Sequence, residues 1–333
     1  MIWYNLNNKI KLIMGEYMKK ILKSKIFIII FLLFIGIVWQ GVMQKYENNK
    51  YEAPGTYVNT GNYDAHCYVK GDGDNTLVFI TGSGTPSAYT DFYNLQDTLA
   101  KYSKTISFDH AGYGWSSKTK ASRDIDNLTY ELSTIVDSLS KEAKPLILVC
   151  HSLGSLEAIN FAQRYKEKVA GIVFLDGGSP EFYSSSSEIS SIAFNRGTSL
   201  LRFLGINRLL GNFSLLLPLY GENIRNKNLP ENLKEVDKSM YYKYTGASIN
   251  LSNLKSINEN AKTVLNYGSN INVPILVLSS DSGEEWEKVQ EELSSWSTDS
   301  RHITLKDSQH YIHWSNSDEV VSYIKEFTEE LSK

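Results

Sequence analysis

At 333 residues and 42% apolar content, the chain is long enough to bury a large core and suits one α/β domain carrying an insertion. Its 34 Lys and Arg against 37 Asp and Glu leave a net charge of −3, so it has no basic footprint and nucleic-acid binding is excluded as a working reading. Its two cysteines, Cys67 and Cys150, are too few for a disulfide framework and are expected to be free.

The first feature in chain order is Ile26 to Met43, IFIIIFLLFIGIVWQGVM, which carries no charge over about the length a bilayer core requires. A lysine at mid-membrane costs about 2.5–3.5 kcal/mol, so the absence of charge is informative. Lys9, Lys11, Lys19, Lys20, Lys23 and Lys25 precede it against the single acid Glu16, which by the positive-inside rule holds the amino terminus in the cytoplasm and the remainder outside. A cleaved signal peptide is the rival, but Val38-Trp39-Gln40-Gly41-Val42 supplies no Ala-x-Ala site, so an anchor is preferred. Met18-Lys19-Lys20 resembles a start, and a start there leaves the topology unchanged. The expected organisation is a basic cytoplasmic tail over 1–25, a transmembrane helix over 26–43 and a polar linker over 44–62 containing Pro54 and Gly55. A catalytic domain follows over 63–333.

From His66 onward, strand-like and helix-like runs alternate, which predicts a mostly parallel, doubly wound sheet with helices on both faces. The spacing predicts strands at Leu77–Thr81, Thr105–Phe108, Pro145–Cys150, Gly171–Leu175, Pro274–Ser279 and Arg301–Leu305. Helices are expected at Tyr89–Tyr102, around Ile125–Leu139, and at Leu153–Tyr165, Glu284–Leu293 and Asp318–Leu331. The alternation breaks between Ser179 and Tyr267, where a cap insertion of about 180–266 is expected. Its leucine-rich stretch Leu200–Tyr220 could line an acyl pocket or touch a membrane surface.

Cys150-His151-Ser152-Leu153-Gly154 sets a serine between a strand and a helix, the arrangement of a nucleophile elbow with Cys150 in place of the usual first glycine. A serine nucleophile needs a base and an orienting carboxylate. His310 follows the last strand, where such a base belongs; His313 and His302 are its competitors. Two aspartates end strands at suitable places. Asp176 is preferred because it closes the apolar run Val173-Phe174-Leu175, where an unpaired charge is costly. Asp281 is the alternative acid and has the setting of a turn residue. Thr81-Gly82-Ser83-Gly84 follows a buried strand, so the N–H groups of Ser83 and Leu153 are the expected oxyanion donors. His66, His110 and His151 lack metal-ligand spacing, and no cofactor or phosphate loop is present, so neither metal nor cofactor is expected.

These residues together resemble the α/β-hydrolase superfamily, and more narrowly its membrane-anchored or secreted bacterial branch with an Asp-Arg-Ala-Gly-Tyr-Gly-Trp-Ser signature. Here that signature reads Phe108-Asp109-His110-Ala111-Gly112-Tyr113-Gly114-Trp115-Ser116. The likeness continues through Ser122-Arg123, the elbow, Val169 to Asp176 and the His310 loop. In some relatives, such as certain haloalkane dehalogenases, the acid stands where Asp176 does, but their nucleophile is an aspartate, so Ser152 argues against dehalogenation. Thr81, Cys150 and Ser155 are departures from common family residues. The resemblance implies a serine hydrolase acting on small acyl esters, like a carboxylesterase or lipase. The alternatives are an amidase or peptidase of the same fold, or a silent surface-binding module.

Overall fold

The computed structural model describes residues 2–140, 145–215 and 223–332. A long helix α1 (Ile2–Lys50) leads into β1 (Thr56–Asn59), β2 (Asp64–Lys70) and β3 (Thr76–Ile80). Two short helices, α2 (Ala88–Asp91) and α3 (Tyr93–Leu99), precede β4 (Lys104–Phe108), α4 (Ile125–Leu139), β5 (Leu146–His151), α5 (Gly154–Arg164) and β6 (Val169–Leu175). The cap follows as α6 (Pro180–Ser185), α7 (Ile189–Phe203), α8 (Ile206–Asn212), α9 (Asn223–Asn228), α10 (Glu231–Tyr244) and α11 (Ser248–Tyr267). The chain then returns to the sheet with β7 (Ile275–Ser280), α12 (Glu284–Ser294), β8 (Ser300–Leu305), α13 (Ile312–Ser315) and α14 (Ser317–Glu330).

The eight strands form one sheet in the order β1-β2-β4-β3-β5-β6-β7-β8. Its first two pairings are antiparallel and the rest parallel. Both faces are covered, which is why the central strands read as unbroken apolar runs. Alternate residues serve opposite layers. Ile80, Leu148, Cys150, Ile172, Phe174 and Val277 pack with α4, α5 and α11 residues such as Leu132, Phe161 and Val264. Phe79, Ile147, Val149, Val173, Leu175 and Leu278 meet Phe92, Leu95, Val320 and Phe327 from the other side. The parallel register brings the carboxyl ends of β3, β5, β6 and β7 together along one edge, through Ile80↔Cys150, His151↔Leu175 and Leu175↔Leu278. Crevices at such ends are where open α/β sheets bind ligands.

The structure corrects the expected boundaries in three places. The helix containing Ile26–Met43 continues to Lys50 and β1 starts at Thr56, so 44–62 is largely ordered secondary structure and the sheet begins before 63. Cap contacts stabilise the extra turns: Gln40 Nε2 donates to the Tyr242 carbonyl at 2.8 Å, and Arg208 pairs with Glu47. The helix expected over Tyr89–Tyr102 is two short helices sharing Phe92 as a terminus. The β1–β2 hairpin carries little apolar alternation, since only Val58 of β1 is buried, which hid it from periodicity.

Candidate active site

The turn after β5 is strained where the sequence places its serine. Ser152 has φ 52°, a left-handed value that costs a non-glycine residue about 1–3 kcal/mol and persists only where its surroundings impose it. Here the constraint is the sheet: the Ser152 N–H still bonds the Leu175 carbonyl at 3.2 Å, while the chain turns directly into α5. Cys150, the departure at the first elbow position, is wholly buried, and its thiol lies 3.5 Å from the Val173 carbonyl. Burial pushes that thiol's pKa well up, with the Glu157 charge adding to the effect, so it is a packing group. Ser155, another departure, donates to the Gly178 carbonyl at 2.6 Å and ties α5 to the turn after β6.

His310 Nε2 lies 3.0 Å from Ser152 Oγ, and its Nδ1 lies 2.7 Å from Asp176 Oδ2. Asp176 is itself at φ 51° and only 1% exposed. Its Oδ1 accepts the Ser280 N–H at 2.7 Å and the Trp286 indole N–H at 2.8 Å, while Oδ2 also accepts the Ser280 hydroxyl at 3.0 Å. Four donors therefore hold the carboxylate and aim one oxygen at the ring. Asp281 is not in this constellation. It is exposed and closes the turn before His310, accepting the N–H groups of Asp307 at 2.8 Å and Ser308 at 3.2 Å, and the Asp307 bond is the main reason its pKa is lowered. The other histidines are also elsewhere: His302 Nε2 bonds Ser279 Oγ at 2.8 Å, and His313 is buried beneath the site.

Gly82 sits against the serine so closely that a Cβ there would come within 2.9 Å of Ser152 Cβ, so the backbone of this loop can approach the serine side chain as no side-chain-bearing residue would allow. Ser83 and Leu153 both line the cavity that opens over Ser152, about 690 Å³ in volume. No other group among the described residues takes either backbone N–H. Thr81 bonds His110 Nδ1 at 3.1 Å, and His110 Nε2 meets Glu157 at 2.8 Å, so both members of that pair have structural partners. Asp109 of the signature likewise holds turns: it accepts from Ala88 N–H at 2.7 Å and Trp115 N–H at 3.2 Å and meets His66 Nδ1 at 2.7 Å.

Two side chains near the serine had no sequence signal. Trp286 of α12 holds Asp176, and Tyr183 of α6 lines the same cavity as Ser152, with burial raising its phenol's pKa well above the ordinary tyrosine value. Both come from segments far from the motifs in sequence. The leucine-rich stretch does not line this cavity in its described part: Leu200, Phe203, Leu209, Phe213 and Leu215 point outward, and α7 contributes Ser191, Phe194, Asn195 and Thr198 instead. Residues 216–220 of that stretch lie outside the described residues.

Beneath the site, Asp91, His151 and His313 bring a carboxylate oxygen and ring nitrogens within 4.8 Å of one another, a trio that sequence spacing did not reveal. Their hydrogen-bonding capacity is only partly used: among the described residues Asp91 Oδ2, His151 Nδ1 and both His313 ring nitrogens have no hydrogen-bond partner. Arg225 pairs with Asp91 at 2.9 Å, and the His151 Nε2–H donates to the His310 carbonyl at 3.1 Å. Burial opposes ionisation of Asp91, but the facing His313 and Arg225 outweigh it and hold the carboxyl below its usual range. Burial, with the neighbouring histidines, keeps the His151 pKa well below normal, so its ring is neutral.

The sequence matches the alpha/beta hydrolase fold family over residues 75–317. The chain belongs to that family. A hydrolase is the class of activity that this membership supports. Among curated proteins it is 29% identical to the uncharacterized protein YbdG of Bacillus subtilis over 233 residues, covering 69% of this chain and 70% of that protein. Among solved structures, a thermophilic esterase from Thermogutta terrifontis aligns with TM-score 0.62 at 16% identity, covering 84% of this chain and 99% of that one. An epoxide hydrolase from Vigna radiata aligns with TM-score 0.65 at 15% identity, covering 83% and 97%. At such identities these two structures share the fold with this chain.

Proposed function

We propose that this protein is a serine hydrolase that cleaves small carboxylic esters through an acyl-enzyme, with Ser152 as nucleophile, His310 as base and Asp176 as the orienting acid. The observation that carries the reading is the unbroken chain from Ser152 Oγ to His310 Nε2 at 3.0 Å and from His310 Nδ1 to Asp176 at 2.7 Å, set on a strained corner at the mouth of a cavity. Asp176 accepts the Nδ1 proton, which leaves a lone pair on Nε2 facing the hydroxyl. As Oγ attacks an acyl carbonyl, its proton passes to Nε2 and the new imidazolium is stabilised by the buried carboxylate. The oxyanion is received by the N–H groups of Ser83 and Leu153, each worth about 2.7–4 kcal/mol in the transition state. His310 then protonates the leaving alkoxide, and water repeats the sequence to release the acid. The fold likeness to an esterase supports this choice.

In the same reading, the uncharged stretch 26–43 anchors the chain in the cell membrane with the cap-bearing domain outside, and the sequence belongs to the branch marked by Asp109 to Ser116. The continuous apolar helix, exposed from Ile26 to Ile30, supports the anchor. Fluorophosphonate labelling tests the chemistry: the intact protein should label and Ser152→Ala should not. Labelling of both, or of neither while the cavity still binds ester analogues, sinks the proposal in favour of a binding module. An ester series and an amide series run side by side separate an esterase from an amidase.

A further inference from the structure

A second large cavity, about 1050 Å³, lies away from Ser152, between α1 and the cap. From α1 it is lined by Ile37, Gln40, Gly41 and Gln44; α7 adds Leu200 and Phe203 at one end. Its cations are Lys118, Arg196, Arg202 and Lys243, and no carboxylate lines it. None of the four has an ion-pair partner among the described residues. Arg202 donates only to the Lys243 carbonyl, at 2.6 Å. Burial lowers the pKa of both Arg202 and Lys243; at Lys243 the Asp109 and Glu47 charges work against that lowering and Lys118 adds to it. Those two acids are themselves engaged, Glu47 by Arg208 and Asp109 by His66. Arg202 and Lys243 are half-buried, Lys243 resting 4.8 Å over the Tyr244 ring, and Lys118 and Arg196 are exposed beside them; four like charges gathered without a carboxylate repel one another and favour an anion between them.

The position of the cavity identifies that anion. The turn between α7 and α8 is pressed on α1 at Gly36, where a Cβ would meet the Leu204 carbonyl oxygen at 2.3 Å; Gly205, at φ +74°, would clash with the Gly36 oxygen at 2.5 Å in return. Gly36 lies inside the uncharged stretch, seven residues or about 10 Å before its end. If α1 spans a bilayer, this turn and the exposed Phe203, Leu209 and Phe213 beside it sit in the acyl region, and the cations one or two turns further along α1 sit at headgroup level. We propose that the cleft between α1 and α7 binds an anionic phospholipid, its phosphate on Arg196, Arg202, Lys118 and Lys243 and its acyl chains lying along α1 past Leu200 and Phe203. The inference rests on the anchor reading of α1.

The full chain, purified in detergent, is offered equimolar dioleoyl phosphatidylglycerol and phosphatidylcholine, and bound lipid is counted by native mass spectrometry. Phosphatidylglycerol should be retained selectively, and the exposed-site double variant Lys118→Gln/Arg196→Gln should hold it about 30-fold more weakly, at about fivefold per surface charge. Equal retention of the two lipids, or an unchanged double variant, overturns the proposal. Inorganic phosphate displacing bound phosphatidylglycerol at equimolar concentration would also overturn it, in favour of a soluble-anion site. A parallel arm places tryptophan at Ile29 and measures quenching by brominated lipid in vesicles. Quenching there with no lipid selectivity rejects the lipid site and keeps the anchor, whereas no quenching rejects both.

Discussion

Replacing Asp176 by asparagine exchanges one carboxylate oxygen for an NH2 and should nearly abolish turnover. The carboxylate serves four donors, with the Ser280 N–H and Trp286 indole on Oδ1 and the Ser280 hydroxyl and His310 ring on Oδ2. Asparagine keeps one accepting oxygen. If that oxygen faces His310, the amide NH2 opposes two buried N–H donors, each left unpaired at about 1–3 kcal/mol. The other orientation is therefore favoured: the NH2 points at His310, the ring answers with its Nδ1 lone pair, and its proton moves to Nε2. The nitrogen 3.0 Å from Ser152 then donates and cannot act as base. A wrong tautomer at a triad histidine lowers kcat by about 10⁴-fold, or about 5.5 kcal/mol of barrier. The assay is p-nitrophenyl ester hydrolysis, with circular dichroism to confirm folding and Asp281→Asn as comparison. Asp281 only closes the turn carrying His310, so its variant should stay within about tenfold of the parent and melt earlier. Asp176→Asn within tenfold of the parent, or Asp281→Asn as the crippled variant, would refute the reasoning.

Tyr183→Phe strips the buried phenol that lines the cavity beside Ser152 and should lower kcat by about fivefold, the worth of one net hydrogen bond, with the ester KM little changed; an unaltered kcat would make the tyrosine a wall of the cavity only. Arg225→Met strips the sole described ion-pair partner from Asp237 and the closest one from Asp91, at 3.1 and 2.9 Å in a region 1% exposed or less. Denaturant unfolding should show a loss of about 3–5 kcal/mol, since two buried carboxylates keep their desolvation and lose their counter-charge. His66 has its pKa raised: burial pulls it down, but the Asp109 hydrogen bond and charge outweigh that. A group raised on folding contributes stability that is complete below its unfolded value of about 6.5 and fades as pH climbs through the folded value. The melting-temperature gap between the parent and His66→Gln should therefore shrink from pH 6 to 9, roughly; a gap that widens would mean the histidine is neutral when folded.

The central strands are built from features that are local in the sequence. The runs Leu77–Ile80, Leu146–Cys150, Ile172–Leu175 and Ile275–Leu278 are apolar on both faces, and a strand buried on both sides has no other way to be written. The amphipathic spacing from Ile125 to Leu139 marked α4, because 3.6-residue periodicity acts over a few positions, while the structure sets its cap at Asp124, whose carboxylate accepts the Asn127 N–H. For the same reason Ser152 and His310 were legible, one at a strand-to-helix corner and one after the last strand. The choice between Asp176 and Asp281 was different in kind: both end strands, and only the crossing of chain segments 134 residues apart puts Asp176 on the ring and Asp281 in its own turn. Tyr183, Trp286, the buried Asp91–Arg225 pair and the four cations beside α1 carry no pattern in their neighbourhoods. Their meaning comes from low-dielectric contacts between distant elements, which charge and spacing along the chain do not encode. Local propensity and burial pattern therefore determined the strands, the helices and the nucleophile's corner, while long-range packing decided which carboxylate faces the imidazole and where unpaired charge collects.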